Sequence, residues 1–165
     1  MKFNQIFTLM QQSFPREEFR DYSGQKSLLQ NSNYHITTKL NQDNKIIAFM
    51  STWNFPAFVF VEHFAVDQSM RGHGIGSTML KEFLAQTSKN IILEVEPAHD
   101  SISTKRIKFY ERFGFLLNEY NYIQPPLRKD SQYIELKIMS YPKKLYFNDF
   151  QKIKNILYSE VYSKN

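Results

Sequence analysis

Three glycines at alternate positions, Gly72, Gly74 and Gly76, fall within the stretch RGHGIGST, directly ahead of a strongly helical segment. The first N–H groups of a helix have no intrahelical partner, and the helix dipole adds positive potential there. Glycine at those positions lets the amides converge on an anion with no side chain in the way, and phosphate is the natural guest. A turn and a cap would need one glycine; three between a buried strand and an amphipathic helix favour an anion site. A Walker-type loop is excluded because Gly76 is followed by Ser77-Thr78 without the lysine. The dinucleotide fingerprint G-x-G-x-x-G is excluded by spacing.

Two further residues stand out by their surroundings. Glu62 stands within the otherwise apolar run FVFVEHFAV, on the parity of Phe60 and Phe64 if the strand is regular. An unpaired buried carboxylate is costly, so a glutamate there is solvated, paired or working. His63 points to the other face unless a bulge re-aims it. Tyr110 lies in RIKFYERFGF, where Phe109 and Phe113, spaced i, i+4, are expected to fill the core-facing side and leave Tyr110 on an adjoining one. His73 reads as a loop residue whose backbone matters more than its ring. The sequence has no cysteine, which excludes disulfides, thiolate metal sites and a cysteine nucleophile. His35, His63, His73 and His99 lack metal-ligand spacing, so no metal site is expected.

The elements that must position these residues follow from periodicity. Gln5–Gln12 and Arg16–Leu29 read as helices, the second opening behind Pro15. Tyr34–Leu40 and Lys45–Trp53 form a hairpin about NQDN, and Phe58–Val66 a third extended run. Ile75, Met79, Leu80, Phe83 and Leu84 make one stripe of a helix over Gly74–Thr87. Ile91–Glu96 is a strand and Ser103–Phe113 a helix with Gly114 just past its end. Phe115–Ile123 and Tyr133–Met139 are a last strand pair, and Asp149–Tyr162 a final helix with Asn148 as its cap. The layout is mixed α/β around one sheet.

The sequence, 42% hydrophobic and 16% aromatic over 165 residues, is that of a folding chain, read as a single domain, residues 1–165. No apolar run is long enough to span a bilayer, and the N-terminal segment reads as a helix of the fold instead of a signal peptide, which suits a cytoplasmic protein. The net charge of +5 favours anionic ligands in a general way, or serves solubility alone. Basic residues are dispersed and no nucleic-acid-binding motif is present, so neither nucleic acid nor membrane is expected as a partner.

Arg71-x-x-Gly-x-Gly76, preceded by a strand ending F-A-V-D, resembles the acetyl-CoA-binding motif of the GNAT N-acetyltransferase superfamily. The run RIKFYERFGF resembles that family's helix with a tyrosine and a glycine-ended turn into the next strand. The resemblance covers about Lys45 to Met139, with the C-terminal helix beyond it, although the family's usual first strand is not evident. It implies a central, mostly antiparallel sheet of six to seven strands flanked by helices on both faces. It also implies direct transfer of an acetyl group from acetyl-CoA, as cosubstrate, to a primary amine of a small molecule, amino acid or peptide. The pyrophosphate would lie on the backbone of Arg71, Gly72, His73, Gly74, Ile75 and Gly76, with the Ser77 hydroxyl. The pantetheine arm would pair along Phe64, Ala65 and Val66. Tyr110 would protonate the leaving thiolate, and Glu62 is the candidate base, acting directly or through water. Where many members carry Asn and Ala, this chain has Ser103 and Arg106; Arg106 is expected to offer a cation to the cofactor phosphates or the acceptor.

The acceptor cleft is expected to draw on Phe19, Tyr22, Trp53, Phe55, Tyr120, Tyr122 and Tyr133. The positive charge disfavours a polycationic acceptor. A non-catalytic acyl-CoA-binding sensor or assembly module is the alternative reading, and a homodimer is left open.

Overall fold

The computed structural model describes residues 2–163. Its contacts form two compact units, one ending at Lys89 and the other beginning at Asn90.

The first unit opens with helix α1 (Phe3–Ser13). Its residues Phe3, Ile6, Phe7 and Met10 recur at helical spacing and pack with Ile46, Phe49 and Ala65 into one buried cluster. Full burial of each such side chain stabilises the fold by roughly 1.5–3 kcal/mol. The expected helix over Arg16–Leu29 is broken. A single 3-10 turn at Arg16–Glu18 is followed by extended backbone at Phe19, and helix α2 (Tyr22–Ser27) restarts only at Asp21, whose carboxylate accepts from the Gly24 N–H. Asp21 supplies the capping signal that Pro15 alone cannot sustain.

Strands β1 (Tyr34–Leu40), β2 (Ile46–Asn54) and β3 (Phe58–Val66) pair antiparallel in chain order. A 3-10 turn at Gln68–Met70 and the glycine loop then lead into helix α3 (Ile75–Gln86).

In the second unit, β4 (Asn90–Val95) pairs antiparallel with β6 (Ile134–Tyr141), which pairs antiparallel with β5 (Leu116–Gln124). Helix α4 (Ser101–Glu111) connects β4 to β5, and Gly114 at φ +87° makes the left-handed turn out of it. Helix α5 (Phe147–Ile156) begins behind Tyr146, so Asn148 lies inside the helix and does not cap it. The chain then widens into a π-helical turn, Leu157–Tyr162, that buries Leu157, Val161 and Tyr162. Six strands are present among the described residues, at the lower end of the expected number. No helix among them is long and apolar enough to cross a membrane.

Candidate active site

The glycine loop has the conformation its sequence demands. Gly72 (φ +82°) and Gly74 (φ +76°) are both left-handed, and a Cβ built on either would meet nothing within 4 Å. Glycine is therefore required by the backbone, and the space in front of the loop is open. Gly74 caps α3 without any side-chain hydrogen bond, and the first turn carries no acidic residue. The helix's own bonding begins with Thr78 N–H donating to the Gly74 carbonyl at 2.9 Å. Among the described residues, the backbone N–H groups from Gly72 to Ser77 have no partner. Two neighbouring side chains are engaged with the backbone. Arg71 Nε donates to the Val66 carbonyl at 3.1 Å, and His73 Nδ1 lies 3.0 Å from the Arg71 carbonyl oxygen. Six consecutive donors at the positive end of a helix are without a protein partner, which suits an anion site.

Upstream, β3 is irregular. Ser51 pairs with His63 and Thr52 with Val61, so Glu62 is an extra residue with no opposite. Simple alternation fails here. Phe60, His63 and Ala65 share the face of Trp53, Ser51 and Phe49, while Phe64 moves to the opposite face with Val61. The Glu62 side chain is 3% exposed; Oε1 accepts from Arg20 Nη1 at 2.7 Å and Oε2 from Trp53 Nε1 at 3.0 Å. Burial by itself pushes this carboxyl up, but the charge of Arg20 and the hydrogen bonds from Arg20 and Trp53 outweigh it and hold it below the usual carboxylate range.

His63 is 2% exposed. Its Nε2 lies 2.8 Å from the Glu18 carbonyl oxygen, which can only accept, so Nε2 carries the proton and Nδ1 accepts from Ser51 Oγ at 3.2 Å. Burial favours this neutral form and lowers its pKa, against the opposing pull of Glu62.

In the second unit, Ser103, Ile107 and Tyr110 form the buried side of α4, and Phe109 and Phe113 are only half buried. This reverses the expected assignment, because Ile107 takes the core position between Ser103 and Tyr110. The Tyr110 phenol is pushed up to about 12 by burial, with Arg106 pulling the other way. At neutral pH it is a protonated donor. Ser103 is engaged in a reciprocal cap with Asp100: its N–H donates to the Asp100 carboxylate at 2.7 Å, and its hydroxyl accepts the Asp100 N–H at 3.2 Å. Arg106 Nη1 pairs with Glu96 Oε2 at 2.7 Å, so its charge is already answered.

Sequence reasoning missed two residues. Arg20, 2% exposed, is the partner of Glu62. Glu94 on β4 accepts from Tyr122 and, at 2.7 and 2.6 Å, from Tyr162. A carboxylate inside IILEVE carries the same signal as Glu62 and could have been found that way. The expected aromatic cleft is largely core: Phe19, Trp53, Phe55 and Tyr122 are buried, and of the seven named residues only Tyr22 and Tyr133 are well exposed. Trp53 stacks parallel to Phe55, 6.3 Å between centroids, and meets Tyr34 edge-on at 5.2 Å.

Residues 3–115 match the acetyltransferase (GNAT) family. The chain belongs to this family. It is 33% identical over 106 residues to the Bacillus subtilis (strain 168) protein named "Putative acetyltransferase YjbC"; that match takes in 62% of this chain and 52%, about half, of the relative. A GNAT-family structure from Bacteroides thetaiotaomicron superposes with a TM-score of 0.88 at 30% identity, over 97% of this chain and 91% of that one. An aminoglycoside 6'-N-acetyltransferase complexed with coenzyme A superposes with a TM-score of 0.57 at 15% identity, over 83% and 88% of the two chains. At that identity only the fold is shared. The chain has the mixed α/β, mostly antiparallel architecture read from its sequence.

Proposed function

We propose that the protein transfers an acetyl group from acetyl-CoA directly to a primary amine of a small molecule, amino acid or peptide. The observation that carries this reading is the start of α3, where the amides of Gly72–Ser77 are unpartnered and unobstructed. Arg71, Gly72, His73, Gly74, Ile75, Gly76 and Ser77 would hold the pyrophosphate through backbone N–H groups and the Ser77 hydroxyl. The coenzyme A carried by the aminoglycoside acetyltransferase supports this choice of ligand.

The backbone of Phe64, Ala65 and Val66 would guide the pantetheine arm. Acetyl-CoA supplies the activated thioester; the chain orients it and manages protons. Tyr110, a buried neutral phenol, gives its proton to the departing thiolate, and the C–S bond breaks as the new C–N bond forms. Glu62 is assigned a holding role instead of proton abstraction. Its carboxylate is bound on both oxygens, and a depressed pKa makes it a weak base. The amine accordingly reacts from its neutral form and loses its proton to solvent, which returns one to Tyr110. Ser103 and Arg106 are spent on Asp100 and Glu96 and are given no cofactor contact.

Calorimetry with acetyl-CoA, followed by thiol release over an amine panel, tests the reading. The wild type should bind the thioester and turn over at least one amine. Tyr110→Phe should bind equally well and lose about 100-fold in kcat. Equal kcat in the two proteins would remove Tyr110 from the mechanism, and absence of binding would remove the function.

A further inference from the structure

The bulge at Glu62 is fastened by buried contacts that the proposed chemistry does not consume. Arg20 reaches it from the segment between the Arg16–Glu18 turn and α2, Trp53 holds the second carboxylate oxygen, and the His63 N–H donates to Ser51 Oγ at 3.1 Å. The side chains of Arg20 and Glu62 are each 3% exposed. A buried ion pair adds little net stability over apolar side chains of similar size, so stability alone does not account for it. What it does fix is register. Without the extra residue, every position after Val61 would move to the opposite face of β3. Phe64, Ala65 and Val66 are the residues that follow.

We propose that Arg20 is a positioning residue: by binding Glu62 in the bulge, it sets the direction in which Phe64–Val66 present their backbone to the acyl-bearing arm of the cofactor. This rests on the function proposed above and adds a residue to it. The pair acts on the arm and leaves the phosphate loop alone, because the Gly72–Ser77 amides have no contact with it.

The test is the full-length Arg20→Met/Glu62→Leu double variant, probed with acetyl-CoA and with 3′,5′-ADP, which has the 3′-phosphate and the first phosphate of the pyrophosphate but no arm. The double variant should lower its urea midpoint by no more than the one Trp53 hydrogen bond it forfeits, bind 3′,5′-ADP as the wild type does, and bind acetyl-CoA roughly tenfold more weakly, the cost of one or two misdirected backbone hydrogen bonds. Backbone amide resonances of Phe64–Val66 should shift in its ¹⁵N spectrum, and Arg20→Lys with native Glu62 should restore most of the affinity. Native acetyl-CoA affinity and native Phe64–Val66 resonances in the double variant would overturn the proposal. Should that variant not fold, Glu62→Gln must displace the same resonances, and failure to do so has the same force. Should the wild type bind neither probe, the acetyltransfer reading fails, and the resonances alone decide the role of Arg20.

Discussion

Helices α3 and α4 begin in opposite ways. At α4, Asp100 accepts from the N–H groups of Ile102 and Ser103, and Ser103 closes a reciprocal cap. At α3, glycine stands at the cap, no acid occupies the first turn, and six consecutive amides are left open. Every helix start offers the same kind of donors. One has been closed by the chain for its own stability; the other has been left for something else to close. An unfilled start carries functional information only when the backbone is shaped to keep it unfilled, and the left-handed Gly72 and Gly74 do that here.

Closing α3 from within is the most direct way to break the contrast. His73→Asp places a carboxylate beside the open amides, where it imitates Asp100 and repels phosphate. Acetyl-CoA affinity measured by calorimetry should fall on the order of 100-fold, since two like charges near 4 Å at a protein surface oppose each other by about 4 kcal/mol before salt screening. Unchanged affinity would mean that the open amides are not the anion site.

Gly74→Ala sharpens the contrast more gently. Because its Cβ would meet no atom within 4 Å, the cost is one left-handed non-glycine residue, about 1–2 kcal/mol, read from urea unfolding. Binding should weaken less than in His73→Asp. A loss of stability beyond that range would point to a hidden packing role.

The smallest effect belongs to the closed helix. Hydrogen bonds from the Ser103 backbone and side chain hold the Asp100 carboxyl below its ordinary value, with Ile102 and Arg106 adding to the same effect. A depressed folded pKa means that the unfolded chain binds the proton more tightly. The cap's stabilisation is therefore present above the unfolded aspartate value of about 3.9 and is lost as pH falls through the folded one. Asp100→Asn, still a good cap, should flatten this acid dependence in thermal melts and leave acetyl-CoA affinity untouched. A change in affinity would show that the two helix starts are not independent.

The sequence already disclosed much of this. Phe58–Val66 was read with the bounds the structure has, and the strands and α3 were placed to within a residue or two, because periodicity and glycine punctuation are local signals. The bulge was not legible. It depends on pairing with β2 and on Arg20, forty-two residues from Glu62, and no local pattern encodes such a partner. The same holds for α4, where the i, i+4 pair Phe109 and Phe113 suggested a core face that Ile107 and Tyr110 occupy. The restart at Asp21 rests on a capping carboxylate set among residues of helical character, so the local pattern alone points to one continuous helix.

Trp53 is the only tryptophan in the sequence, and its indole N–H is bound to the carboxylate that Arg20 holds. The molecule thus carries a built-in optical gauge at its buried charge pair. Its emission reports on that one neighbourhood, so loosening there can be followed by fluorescence without a label.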